Sequence, residues 1–226
     1  MQIIQNVLRM QVLVLAVREV PMNLFSYIVA RDYGFSPNPF PPYCTLATCK
    51  PGIRNSAQKG DWIIGLGSNA RKSQYRMKII YAMQIKEKIN YNDYWNDPRF
   101  QYKKPVMNGS LRQIYGDNIY HSLNGKYIQE NSHHSYNKGI MNIHNYKRDL
   151  LSEYVLIAEI YWYWGKNGIL LPEKLWSSLK VGRNYKVIKD ADIQKMFFNW
   201  LQIQQNMGYL GEPIKFHSVN NRYNGL

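Results

Sequence analysis

Cysteine is scarce. Two of them, Cys44 and Cys49, are too few for a disulfide framework, and the gap between them matches no strong zinc-ligand spacing. That pattern predicts a reducing compartment, the cytoplasm, with no metal and no other cofactor. Acidic residues are also few, 15 Asp+Glu against 29 Lys+Arg, for a formal net charge of +14. Long hydrophobic runs are missing too. Val7 to Val17 is apolar but too short to cross a bilayer, and it has no small-residue cleavage site before Arg18-Glu19. Neither a membrane partner nor a signal peptide is expected, and no internal repeat appears.

What is present is a globular composition. Hydrophobic residues make up 45% of 226, enough to bury a substantial core. The organised pattern starts near Met22, which predicts a single domain over 22–226 behind an extension over 1–21 that packs as a helix or contacts a partner. A surplus of cations favours polyanions, because neutralised phosphates release counterions, and nucleic acid leads that class. The competing account is a surface charged for solubility. Nineteen Tyr and six Trp supply both core and stacking faces.

The local patterns predict an α+β chain with long loops. Phe25 to Ala30 reads as a strand, and Pro37, Pro39, Pro41 and Pro42 interrupt regular structure after it. Ile53 to Gln58 suits a helical turn, Trp62 to Leu66 a strand, and Met77 to Ile85 an alternating strand with Ile79, Tyr81 and Met83 on one face. Asn92 to Asp97 reads as a helix stopped by Pro98, and Val155 to Trp164 as one strand. Pro172 opens a helix over Glu173 to Leu179. Ile193, Met196, Phe197, Trp200 and Leu201 recur at helical spacing, with Asp190 or Asp192 as cap and Gly208 as stop.

Three stretches carry candidate chemistry. Gly60-Asp61 introduces the strand Trp62-Ile63-Ile64, which breaks at Gly65-Leu66-Gly67-Ser68; glycines there allow close approach of a ligand or of another backbone. Gly116 to His121 and Ser132-His133-His134-Ser135 gather Asp117, Asn118 and three imidazoles. They suit acid/base work, metal ligation, phosphate contact or plain loop ties, although no member matches a recognised metal or hydrolase motif. Arg71, Lys72, Arg76, Lys103 and Lys104 lie in a basic run interleaved with Tyr75, Tyr91, Tyr94, Trp95, Phe100 and Tyr102, which fits a phosphate backbone beside stacked bases or else a solvated face.

Residues 24–105, with the Gly60-Asp61 turn and "YNDYWNDPRF" at 91–100, resemble the EVE branch of PUA-like proteins. That resemblance implies a small β-barrel with a pocket for a flipped nucleobase. From Met22 onward, "SYIVARDYGFSPNPFPPYCTLATCKPGIR", "YWNDPRF", "KKPVMNGS", "YGDNIYH" and "SHHS" resemble the nucleotide modification associated domain family, second type. This implies a place beside enzymes that build or recognise altered DNA bases, in phage or anti-phage settings, with protein partners of a modification or defence system.

Together these readings predict binding of DNA with a modified base. The expected pocket comprises Asp32, Asn38, Trp62, Gly67, Ser68, Asn118 and Tyr120, with phosphates on Arg71, Lys72, Arg76, Lys103 and Lys104. The alternative is an enzyme acting on a modified nucleotide or glycosidic bond through Asp117, His121, His133 and His134. A scaffold contacting proteins through 1–21 is the third class.

Overall fold

The computed structural model describes residues 22–216 except 69, 183 and 205; the 1–21 segment and His217 lie outside the described residues. Strand β1 (Leu24–Ile28) leads through the proline-rich loop to β2 (Cys44–Leu46), helix α1 (Pro51–Ser56) and β3 (Trp62–Leu66). Next come β4 (Lys78–Gln84), β5 (Glu87–Asn90), α2 (Tyr91–Asn96) and α3 (Leu111–Ile114). The hairpin β6 (Tyr120–Leu123) and β7 (Lys126–Gln129) precedes α4 (Ile143–Asp149). The chain closes with β8 (Tyr154–Ala158), β9 (Ile160–Tyr163), β10 (Ile169–Leu170), α5 (Glu173–Leu179), β11 (Tyr185–Ile188), α6 (Ala191–Gln202) and β12 (Gly208–Tyr209).

Seven strands form the large sheet in the order β11-β1-β3-β4-β9-β12, with β10 beside β4, and β2-β8-β5 form a second sheet. β6 and β7 pair with each other. The α+β class stands, but no sheet closes on itself, so the barrel implied by the PUA-like resemblance is absent among the described residues. The layers follow from strand periodicity. Leu24, Trp62, Ile64 and Leu66 pack with Leu175, Trp176, Phe197, Phe198 and Leu201 from α5 and α6. Phe25, Tyr27 and Ile63 point the other way, against Cys44, Leu46, Leu156 and Ala158 of the second sheet. A third cluster, with Tyr91, Tyr94, Phe100, Tyr115 and Tyr120, covers the far side of that sheet through Val155 and Ile157.

Three local expectations change. The Val155–Trp164 segment breaks at Glu159, placing β8 in the second sheet and β9 in the large one, so one stretch of chain serves both. In β4 the register slips: Gly65 faces Tyr81 and Leu66 faces Ile79, leaving Ile80 as an extra residue and ending the strict alternation. Helix α6 is capped by Asp190, whose Oδ1 accepts from the Asp192 and Ile193 amides at 2.9 and 3.0 Å, but it ends at Gln202 while Gly208 belongs to β12.

The glycines ending β3 serve backbone packing. A Cβ on Gly65 would meet the Tyr81 ring and Val29, and one on Gly67 would meet the Tyr75 carbonyl oxygen. Trp62, expected in the pocket, is fully buried between Trp162, Phe197 and Phe198. Gly67→Val is therefore expected to destabilise the fold by about 1–3 kcal/mol, through overpacking against a backbone that cannot yield. Urea unfolding checks this, and an unchanged midpoint would contradict it.

Candidate active site

The loop joining β2 to α1 holds two consecutive non-glycine residues in the left-handed region, Cys49 at φ 57° and Lys50 at φ 38°. Such conformations cost about 1–3 kcal/mol each and persist only where neighbours impose them. Arg54, fully buried in α1, imposes them here. Its Nε donates to the Cys49 carbonyl at 2.8 Å and its Nη2 to the Asp149 carbonyl at 2.6 Å. Its Nη1 donates to the Tyr91 hydroxyl and to the Ser152 and Tyr154 carbonyls at 2.8 to 3.0 Å. One planar guanidinium thus ties the start of α1 to the end of α4.

That tie brings together Cys49, His134 and Asp149. The Cys49 Sγ lies 3.8 Å from His134 Nε2, and His134 Nδ1 lies 2.6 Å from Asp149 Oδ2. The same carboxylate accepts the Tyr120 hydroxyl on Oδ2 at 3.0 Å and the Cys49 amide on Oδ1 at 2.8 Å. His134 is held by its own loop: its amide donates to Ser132 Oγ, and its carbonyl accepts from Asn145 Nδ2.

Electrostatics favour charge separation along this chain. Burial alone would raise the Cys49 thiol, but the charge and hydrogen bond of His134 outweigh it and hold the thiol below its ordinary range. Burial would lower His134, yet Asp149 and Cys49 raise it to about 10. Burial likewise opposes the Asp149 carboxylate, and His134 and Arg54 bring it below the usual value. These shifts all favour the charged forms, a thiolate, an imidazolium and a carboxylate, over the neutral ones. The three donor atoms lie within 4.8 Å of one another, close enough to consider a metal ion. The imidazole offers one nitrogen to Cys49 and the other to Asp149. This arrangement suits a nucleophile, a base and a residue that orients the base.

The thiol opens on a cavity of about 660 Å³, within the size range of small-molecule sites. Tyr27, Tyr33, Phe35 and Tyr185 give it aromatic walls, and Lys50 and Arg148 give it positive charge.

The expected site residues separate into groups. His133 and His134 line the cavity, and Tyr120 stands behind it on Asp149. Asp117 is buried elsewhere, accepting from Thr45 Oγ1 at 2.6 Å and Tyr94 at 2.7 Å, and Asn118 donates to the Tyr94 and Phe100 carbonyls. His121 stacks on Trp95 with centroids 4.1 Å apart and bonds Glu130 at 2.7 Å, beside a second hollow lined by Trp95, Lys104 and Glu130. Asp32 accepts from Tyr163 at 2.6 Å and from the Ile214 amide, and Asn38 is bonded by Lys103. Ser68 accepts from the Ala70 amide in its own turn, and neither it nor Gly67 lines the cavity.

The phosphate-contact set is likewise divided. Arg71, Lys72 and Arg76 are exposed on the turn between β3 and β4. Lys104 Nζ lies 3.6 Å from the Trp95 ring centre. Lys103 is 1% exposed, its ammonium lowered to about 8 mainly by burial, so it braces the Asn38 loop and does not face solvent. Tyr91, Tyr94 and Phe100 of the interleaved aromatics are core residues.

Sequence reasoning passed over Cys49 and Asp149. The signal for Cys49 was a thiol directly before Lys50-Pro51, at the opening of a helix. Asp149 lies 100 residues away, where spacing says nothing.

The chain matches the family described as nucleotide modification associated domain 2 over residues 21–220, nearly its whole length, and it belongs to that family. The family's description associates it with systems that modify nucleotides. Comparison with curated proteins and with solved structures gives no match. No helix among the described residues is long and apolar enough to cross a membrane.

Since Arg54 satisfies buried carbonyls on three segments, Arg54→Ala is expected to cost at least about 3 kcal/mol, with each orphaned acceptor worth about 1–3 kcal/mol. Arg54→Lys recovers little, because an ammonium cannot reproduce the planar fork. Chemical unfolding of both variants provides the check, and a loss below 1 kcal/mol in Arg54→Ala would refute the clamp.

Proposed function

We propose that the protein is an enzyme that attacks a modified nucleotide, free or within nucleic acid, with the Cys49 thiolate. The observation that supports this most is the Cys49-His134-Asp149 chain at the wall of the cavity. In this reading the thiolate forms a bond to an electrophilic carbon of the modified base or its appended group. The bond to the leaving oxygen or nitrogen breaks with its electron pair, and His134 Nε2 delivers the proton. Water, deprotonated by the now neutral His134, then displaces the thiolate. Asp149 keeps the ring oriented and stabilises its charged form.

Reactivity of the thiol gives the first test. Iodoacetamide alkylation of Cys49 is expected to reach half its plateau below the ordinary thiol midpoint of about 8.5. His134→Ala removes the main influence that opposes burial, so the midpoint should rise and the rate at pH 7 should fall. A wild-type midpoint at or above the ordinary one would defeat the ion pair.

A second reading uses the same cavity to hold a flipped modified base without chemistry, with DNA phosphates along the exposed Arg71, Lys72 and Arg76. The aromatic wall favours it, since stacking offsets part of the few kcal/mol that extrusion costs. One experiment separates the two: incubation with modified and plain nucleotides and oligonucleotides, following binding and product mass together. Turnover that falls at least about 10³-fold in Cys49→Ala with the fold intact supports the enzyme. Modified-base binding with no mass change in the wild type supports the reader.

A further inference from the structure

Bond formation by the Cys49 thiolate moves its negative charge to another atom, so the groups around the sulfur bear on which atoms can receive it. Lys50 is the nearest in the chain. In an extended strand successive side chains point to opposite faces, whereas Cys49 and Lys50, both with left-handed backbones, line the same cavity.

The Lys50 ammonium has a fixed seat. It stands 4.5 Å from the centre of the Tyr27 ring, a buried part of the cavity wall whose own hydroxyl accepts from Tyr81 at 2.9 Å. None of the ion pairs between described side chains includes Lys50. Burial lowers its ammonium pKa, the Cys49 charge raises it, and Arg148 lowers it again. The one anion among these influences is the sulfur, so ammonium and nucleophile are electrostatic neighbours.

A cation beside the nucleophile treats two kinds of carbon in opposite ways. At a carbonyl carbon the S–C bond forms while the C=O π pair retreats to oxygen, so negative charge reappears one bond away and a seated ammonium stabilises it without reorganising. At an anomeric carbon the transition state is oxocarbenium-like and gathers positive charge, which the same ammonium opposes. Lys50 therefore favours acyl transfer over cleavage of a glycosidic bond.

We propose that Lys50 stabilises the oxyanion formed when Cys49 attacks a carbonyl carbon, and that the bond broken is the ester or amide of an acyl group on the modified nucleotide. This rests on the enzymatic reading for the nucleophile and adds the substrate class. The oxygen pair re-forms C=O as the C–O or C–N bond to the leaving group breaks with its electrons, and that group takes the proton from His134 Nε2. A thioester remains. Water then gives a proton to His134 and bonds to the same carbon, returning negative charge to the oxygen beside Lys50. Collapse breaks the C–S bond and restores the thiolate, so the net change is hydrolysis.

The test compares two small probes on the full chain. Iodoacetamide reacts with the thiolate at a saturated carbon and passes the charge to iodide, whereas 4-nitrophenyl acetate acylates it through an oxyanion. Both rates are followed at one pH for the wild type, Lys50→Met and Lys50→Arg, after subtracting what remains in Cys49→Ala. Because both reactions need the thiolate, the ratio of acylation to alkylation cancels any change in its ionisation. Lys50→Met should lower that ratio at least about tenfold, since loss of one oxyanion donor typically costs about 10²- to 10³-fold. Lys50→Arg keeps the charge and should recover most of the loss. Thermal melting checks each fold, and Lys50→Gln takes the place of Lys50→Met should the latter melt early.

A ratio unmoved in the neutral variant overturns the proposal and leaves the nucleophilic thiol standing. So does an equal loss in Lys50→Arg, or a wild type that is alkylated at Cys49 but releases no Cys49-dependent nitrophenolate. A wild-type thiol that iodoacetamide does not alkylate removes the enzymatic reading itself, and this proposal falls with it.

Discussion

One buried guanidinium holds this site in place. Arg54 is surrounded by carbonyl oxygens and a tyrosine hydroxyl, with no carboxylate among its hydrogen-bond acceptors in the described residues. Charge on a fully buried side chain is tolerable only when its donors are satisfied, and these acceptors come from three separate parts of the chain. Two of them, the carbonyls of Cys49 and Asp149, belong to the outer members of the candidate triad. The bonds that satisfy the Arg54 donors are therefore also those that position Cys49 against Asp149. The His134 imidazole lies between these two groups, its backbone held by Ser132 and Asn145.

Charge plays two separate roles in this molecule. Among the basic residues of the 71–104 stretch, Lys86 pairs with Glu159, Arg99 with Glu87 and Asp97, and Lys103 is buried against Asn38. At the cavity, Arg31, Lys50 and Arg148 are among the lining side chains, and no aspartate or glutamate is among the described lining residues.

Periodicity made the elements legible where each strand or helix is buried by a simple face. α6, with Phe197 and Leu201 one turn apart and Asp190 before it, is such a case, as are α5 behind Pro172 and α2 between Asn90 and Pro98. It failed where the third dimension changes the rule within a run: at Glu159, where a continuous apolar stretch changes sheets, and at Ile80, where a bulge resets the faces. The same limit governed the site. Local clustering pointed to the histidines, and His134 is indeed at the cavity with Tyr120 behind it. But clustering in sequence also drew in Asp117 and His121, which the β6 hairpin and the third core cluster carry elsewhere. Cys49 and Asp149 meet only because Arg54 bridges segments about a hundred residues apart, and no spacing rule reports such a meeting.

The left-handed backbone at Cys49 has a consequence for how the sequence can drift. Glycine occupies that region without the penalty an L side chain incurs, so at this position the residue that folds best is glycine, and cysteine is held against that preference. Exchange of Cys49 for glycine would relieve the backbone while taking away the sulfur that faces His134, so strain and chemistry at this position pull in opposite directions.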